Sequence, residues 1–303
     1  VLILGQGVKS PWYVGNTCKD LIELYTEKRV IDTPISENAM TGAAVGASIS
    51  GMKTVIMHPR IDFAMYAIDP IINQAANWSY MSGGNSSCPV VFWLIVNRKG
   101  EQGAQHSQAL QSMFAHIPGL IVIAPSTPYD VKGMLHTAIN NPNPVVFIDD
   151  RALYSKKENV PEELYSIPFG KGIIRKKGDD LTIVSSSASM IECIDAIKEF
   201  NNEEISIELI DLRTIKPLDI NLIIDSVKKT GRLVVVDGSW KTNSITAEIS
   251  SLVTEKAFKF LKSPILRVNL PDCPAPAART LESEFYINKY DIISSVKESI
   301  NYK

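Results

Sequence analysis

Arg29-Val30-Ile31-Asp32-Thr33-Pro34-Ile35-Ser36-Glu37-Asn38 carries the chain from a short apolar run into a helix start, and Thr54-Val55-Ile56-Met57 opens the next apolar run one helix length later. Two short apolar runs separated by a helix-length segment read as a strand–helix–strand unit, whose strands pair in parallel. Pro34 bars Thr33 from the helical region, Ser36 suits an N-cap, and Glu37 falls in the first turn. The place where a strand ends and a helix begins is the edge at which open α/β sheets bind ligands.

The same alternation continues in both directions. Strands are expected at residues 2–4, 30–32, 54–57, 90–96, 120–124 and 145–149, with helices near 14–28, 36–50, 62–81, 107–115 and 127–140. Residues 151–172, with Ser155-Lys156-Lys157-Glu158-Asn159, Pro161 and Pro168, break the rhythm. It resumes with strands at 181–184, 205–210, 233–236 and 265–268 and helices near 189–200, 217–229, 241–261 and 289–301. The expected fold class is α/β with two domains, each a largely parallel sheet with helices on both faces. The first covers residues 1–155, a linker covers 156–172, and the second covers 173–303.

A length of 303 residues, 45% hydrophobic and 21% charged, accommodates two cores. Thirty-one basic against 33 acidic residues leave a net charge of -2, which gives no global field for nucleic acid or an anionic membrane. No apolar run approaches the ~20 residues of a bilayer span. Cys18, Cys88, Cys193 and Cys273 have no disulfide or zinc spacing, and a reducing, cytoplasmic location is expected. Because Val1 sits inside an apolar run, further chain is expected before it.

Three segments hold chemistry-bearing groups. Glu37 is either a catalytic carboxylate or a simple complement to a helix dipole. His58-Pro59-Arg60-Ile61-Asp62-Phe63 sets an imidazole, a guanidinium, a carboxylate and an aromatic ring just past a strand, or else is a turn with a cap at Asp62 and Phe63 in the core. Gly103-Ala104-Gln105-His106-Ser107-Gln108 offers a loop histidine as acid or base, or as a structural residue. The helix over residues 40–51 carries Gly42, Ala43, Ala44, Gly46, Ala47, Ser48 and Ser50, so another helix can approach it closely, from this chain or a partner. No dinucleotide fingerprint, phosphate loop or nucleophile elbow is present.

As a set these residues resemble a known family. Residues 29–37, Asp62-Phe63-Ala64-Met65, Tyr80-Met81-Ser82-Gly83-Gly84, Gln105-His106-Ser107-Gln108, Pro118-Gly119-Leu120 and Asp211-Leu212-Arg213-Thr214-Ile215-Lys216-Pro217 resemble the β subunit of the first component of 2-oxo acid dehydrogenases, of pyruvate, branched-chain or acetoin type, within the transketolase-like superfamily. The resemblance implies a thiamine pyrimidine-binding domain followed by a transketolase C-terminal-like domain. It assigns to Glu37 a hydrogen bond to the pyrimidine nitrogen of thiamine diphosphate, which favours the imino tautomer whose nitrogen can take a proton from the thiazolium carbon. Phe63 packs on the pyrimidine, Ile35 and Pro59 line its site, and His106 steadies the intermediate and assists acyl transfer. A potassium ion on the carbonyls of Val90, Ala138, Asn141 and Asn143 is also implied.

The family's diphosphate and magnesium are held by an α subunit through a Gly-Asp-Gly motif, which this chain lacks. The resemblance therefore implies an α2β2 assembly serving a small 2-oxo acid and a lipoyl acyltransferase. The chain departs from the family at residues 58–62 and 93–100, and His58, Arg60 and Arg98 are expected at the substrate mouth, adapting it to a more polar substrate or acceptor. The alternatives are a split transketolase-like enzyme passing the fragment to a non-lipoyl acceptor, and a scaffold subunit without catalysis.

Overall fold

The computed structural model describes residues 1–10, 16–201 and 205–303. These form two compact units. The first comprises Val1–Arg98, Gln105–Ile123 and Thr127–Phe169; the second comprises Lys99–Ala104, Ala124–Ser126 and Gly170–Lys303.

In the first unit six strands run parallel: β1 (Leu2–Gly5), β2 (Val30–Asp32), β3 (Thr54–His58), β4 (Val90–Val96), β5 (Ile121–Ile123) and β6 (Val145–Asp150), in the spatial order β5-β6-β4-β3-β1-β2. Central strands buried on both faces are largely apolar, and every residue of β3 and all but Trp93 of β4 are buried. Val55, Met57, Val91, Ile95 and Phe147 from the sheet meet Met134 in one core. Gly5 lies where β1 comes closest to β3: a Cβ there would stand 2.7 Å from the Met57 carbonyl oxygen.

The helices of this unit are α1 (Leu21–Tyr25), α2 (Glu37–Ile49), α3 (Ala76–Met81), α4 (Gln111–His116) and α5 (Pro128–Asn140). The helix expected over residues 14–28 is confined to α1, bounded by left-handed Asp20 (φ 63°) and by Thr26 (φ 67°); its positions 14 and 15 lie outside the described residues. The helix expected over 62–81 is three pieces: a tight 3-10 turn at Ile61–Ala67, a wide π turn at Asp69–Ala75, then α3. Pro70, which has no N–H to donate, sits at the start of the wide turn. Residues 165–169 lie along α5. Ile167 N–H donates to the Gly133 carbonyl at 3.2 Å, and the Tyr165 ring stacks on Tyr129 at 4.6 Å.

In the second unit the strands are β7 (Ile173–Lys176), β8 (Leu181–Ser185), β9 (Ile207–Asp211), β10 (Thr214–Lys216), β11 (Leu233–Trp240) and β12 (Leu266–Leu270). Five of them form a sheet in the order β12-β11-β8-β9-β7, parallel except for β7, which runs antiparallel along β9 at the edge. Arg175 on β7 reaches the buried Asp211 of β9 at 2.8 Å. The helices are α6 (Ser189–Glu199), α7 (Ile220–Thr230), α8 (Ile245–Ala257), α9 (Arg279–Phe285) and α10 (Lys289–Ile300). Asp219 caps α7, and a reciprocal capping box between Asn288 and Asp291 starts α10. The strands β7 and β10 and the helix α9 were not among the expected elements. Among the described residues no helix is long and apolar enough to cross a membrane.

Candidate functional site

The carboxyl ends of β2, β3, β4 and β6 and the turns that follow them carry the side chains singled out from the sequence. After β2, Pro34 and an extended Ser36 (φ -160°) lead into α2, whose first residue is Glu37. Ser36 stands at the N-cap position, but its side chain makes no capping bond. Glu37 is half-buried, and among the described residues no group hydrogen-bonds its carboxylate. One helical turn on, on the same face, Thr41 is fully buried with its hydroxyl 3.0 Å from His58 Nε2. The start of α2 is thereby tied to the end of β3.

His58 is 0% exposed, and its Nδ1 has no partner among the described residues. Burial pushes its pKa down to about 4, so the imidazole is neutral. Expected at a substrate mouth, it stands as the last residue of a wholly buried strand, with Nε2 facing Thr41 of α2. Pro59 is buried behind it, and half-buried Arg60 donates from Nη1 to the Pro59 carbonyl at 2.7 Å.

The 3-10 turn packs against α2 and presents Phe63, half-buried, toward the segment after β4. The rings of Phe63 and His106 meet edge to face, centroids 5.3 Å apart at 85°. One residue before Phe63, Asp62 Oδ1 accepts from the Gln108 main-chain N–H at 3.2 Å and from Gln108 Nε2 at 2.9 Å. The structure thus joins the second and third sequence segments through two contacts. The expected helix cap at Asp62 is instead a bond to a distant loop, which nothing in the local sequence signals. Ile35, on the approach to α2, is 72% exposed.

Arg98, expected at the substrate mouth, lies just past β4. Its Nε lies 2.7 Å from Asp150 Oδ2 in an ion pair whose side chains are 12% and 0% exposed. The register of β4 on β6, Val96 opposite Asp150, brings the two together at the sheet edge. Beside it, Asp149 accepts from Trp93 Nε1 at 2.8 Å and from the Tyr154 hydroxyl at 2.7 Å. Burial pushes Asp149 up to about 6 against the pull of those two bonds, and burial beside Asp149 raises Tyr154 as well. The positions Val90, Ala138, Asn141 and Asn143 fall on two neighbouring segments, joined where the Cys88 N–H donates to the Pro142 carbonyl at 3.1 Å. Asn141 N–H donates to the Ala138 carbonyl at 3.2 Å.

His58 and Asp149 set opposing pH dependences of stability. Folded Asp149 keeps its proton to about pH 6, whereas an unfolded Asp releases it near pH ~4, so its contribution falls as pH rises through that window. Folded His58 stays neutral down to about pH 4, whereas an unfolded His takes a proton below pH ~6.5, so its contribution is lost as pH falls through that window. Each shift corresponds to about 3 kcal/mol, and between pH ~4 and ~6 they largely cancel. In urea unfolding across this range, Asp149→Asn should lose stability toward acid more steeply than the parent, and His58→Gln should gain it. An unchanged slope in both variants would reject these assignments.

Two family descriptions match the chain: "Transketolase, pyrimidine binding domain" over residues 1–157 and "Transketolase, C-terminal domain" over residues 170–292. The chain is 41% identical over 298 residues to the pyruvate dehydrogenase E1 component subunit beta of Rickettsia bellii, covering 98% of this chain and 92% of that protein. It is 39% identical over 306 residues to the mitochondrial pyruvate dehydrogenase E1 component subunit beta of Bos taurus, covering 99% and 85%. To the acetoin:2,6-dichlorophenolindophenol oxidoreductase subunit beta of Cupriavidus necator it is 41% identical over 272 residues, covering 90% and 80%. Among solved structures, a split-gene transketolase described as an inactive beta4 tetramer superposes with a TM-score of 0.80 at 19% identity, covering 100% and 92% of the two chains. That likeness speaks for the fold.

Proposed function

Because the chain belongs to the transketolase family and aligns over nearly its whole length with pyruvate dehydrogenase E1 β subunits, we propose that it is the β subunit of a thiamine diphosphate-dependent 2-oxo acid dehydrogenase. The observation that carries this reading is the half-buried carboxylate of Glu37 at the start of α2, unbonded among the described residues, with Phe63, on the turn packed against that helix, meeting the His106 ring. The residues suit an aminopyrimidine: a carboxylate for its ring nitrogen, an aromatic ring at Phe63 and an apolar side chain at Ile35, with Pro59 behind. When bound, the cofactor supplies the carbon nucleophile that attacks the 2-oxo carbon and the electron sink that makes loss of carbon dioxide feasible.

The rest falls to side chains of this chain. Glu37 holds a proton at the pyrimidine nitrogen and sets the basicity of the amino group on the opposite side of that ring. Phe63 fixes the ring plane by packing. His106, held by Phe63, donates from a ring nitrogen to the oxygen of the substrate fragment and assists its passage to a lipoyl group.

The diphosphate and its magnesium are assigned to an α subunit, since this chain has no Gly-Asp-Gly motif. The α2 helix supplies a docking face for it. Ala39, Gly42, Ala43 and Gly46 share an exposed stripe, and a Cβ at Gly42 or Gly46 would meet nothing within 4 Å. The first unit also leaves Ile35, Tyr66 and Tyr80 largely uncovered. Each helical Gly costs ~0.8 to 1 kcal/mol relative to Ala, which close approach of a partner helix offsets. The proposed assembly is α2β2, with potassium on the carbonyls of Val90, Ala138, Asn141 and Asn143. The four free cysteines fit a reducing compartment, and the cytoplasm is the proposed location.

The test is turnover by the chain co-purified with its α subunit, supplied with thiamine diphosphate, magnesium and a panel of 2-oxo acids. Carbon dioxide release with acylation of a lipoyl domain is expected. Transfer to an aldose instead would favour the split transketolase-like enzyme. An assembled, cofactor-loaded complex with no turnover on any acceptor would favour the scaffold.

A further inference from the structure

Asp62 opens the Ile61–Ala67 turn, yet its side chain serves a segment 46 residues further along the chain. Oδ1 takes both bonds from Gln108, main chain and side chain. The residue is 7% exposed, and its Oδ2 is enclosed with no hydrogen-bond partner among the described residues. A buried carboxyl with one oxygen unsatisfied is costly. Burial raises its pKa, while the Gln108 bonds, its own main-chain N–H and the nearby His106 ring pull it back. Such an arrangement destabilises the turn locally, so a packing role alone gives no reason for it.

The geometry gives one. Asp62 and Phe63 are consecutive, and Gln108 lies two residues after His106. The two Asp62–Gln108 bonds and the Phe63–His106 ring contact are therefore adjacent ties between the same two segments. A ring contact by itself leaves the histidine free to slide or tilt. The paired bonds at Gln108 set the distance and direction of the loop, and with them the ring's approach.

We propose that Asp62 is a positioning residue which, through its Oδ1 bonds to Gln108, fixes the loop of residues 105–108 and holds His106 against Phe63 in its working orientation. This rests on the role given to His106 under the proposed function. Asp62 touches neither substrate nor cofactor, and its effect passes wholly through the loop.

The test uses the full chain in complex with its α subunit and three variants. Asp62→Ala deletes the acceptor, Asp62→Asn keeps an oxygen for Gln108, and Gln108→Ala removes the side-chain donor while leaving the carboxyl. Since misplacing a catalytic group by about 1 Å can cost ~10²-fold, Asp62→Ala should lower kcat for 2-oxo acid decarboxylation about tenfold or more, with KM nearly unchanged. Asp62→Asn should recover most of the rate, and Gln108→Ala should fall between. A second readout needs no turnover: the rate at which diethyl pyrocarbonate modifies His106, followed by peptide mass spectrometry, should rise several-fold in Asp62→Ala and return to the parent value in Asp62→Asn. Parent-like kcat and labelling in an assembled Asp62→Ala complex would overturn the proposal, as would an Asn variant no better than Ala. If the parent complex decarboxylates nothing while the labelling pattern holds, the positioning of His106 stands and the dehydrogenase reading fails.

Discussion

Glu37→Gln is expected to lower decarboxylation by the assembled complex about 10³-fold, within the range that a positioned acid or base contributes. Glutamine keeps the size and hydrogen-bonding reach of the side chain but cannot exchange a proton with a ring nitrogen. Because the Glu37 carboxylate has no partner among the described residues, the change breaks no bond seen in the structure, and both the melting temperature and co-purification with the α subunit should hold. The competing role, an acid complementing the α2 dipole, is worth only ~0.3 to 1 kcal/mol and would show in stability with no effect on rate. Steady-state carbon dioxide release, measured with assembly verified by size-exclusion chromatography, separates the two. Full activity in the glutamine variant would sink the assignment.

Thiamine diphosphate should bind this chain alone at least ~100-fold more weakly than it binds the complex, a difference of about 2.7 kcal/mol or more. The chain offers the cofactor an aromatic ring, an apolar side chain and a single carboxylate, and its net charge of -2 repels a diphosphate. Among the described residues no group of three or more His, Cys, Asp or Glu side chains is placed to hold a metal ion. Isothermal calorimetry with and without magnesium, on the chain alone and on the co-purified complex, measures the difference. Equal magnesium-dependent affinity in both samples would show that the diphosphate site lies in this chain, against the division proposed.

The first sheet was readable because its strands are uniformly apolar and punctuated by turn residues: β2, β4 and the starts of β3 and β6 fall at the expected positions. The edge strand β7 was not, since Arg175 and Lys176 give it the polar, half-exposed pattern of a connection, and its pairing with β9 is a long-range choice. At the site, Glu37 and the Phe63 and His106 segments could be picked out by their places after strands. His58, picked out by the same cue, is fully buried. The burial of all of β3 extends one residue beyond its apolar run, and a histidine can share that burial when a hydroxyl such as Thr41 meets it. The fates of Arg98 and Asp62 depended on register and loop closure, which place Asp150 and Gln108 beside them and leave no local trace in sequence.

The open stripe on α2 has a consequence for anyone wishing to make this chain more robust. Gly42 and Gly46 have room for a methyl group and stand within a helix, so they are the substitutions any search for a hardier isolated chain would adopt first, each offering up to about 1 kcal/mol. The same methyl groups would keep an incoming helix at arm's length. With the stripe as the proposed docking face, selection for the endurance of the lone subunit and selection for the working enzyme pull in opposite directions at these two positions, and a variant collection ranked by heat resistance alone should be enriched in chains that no longer find their partner.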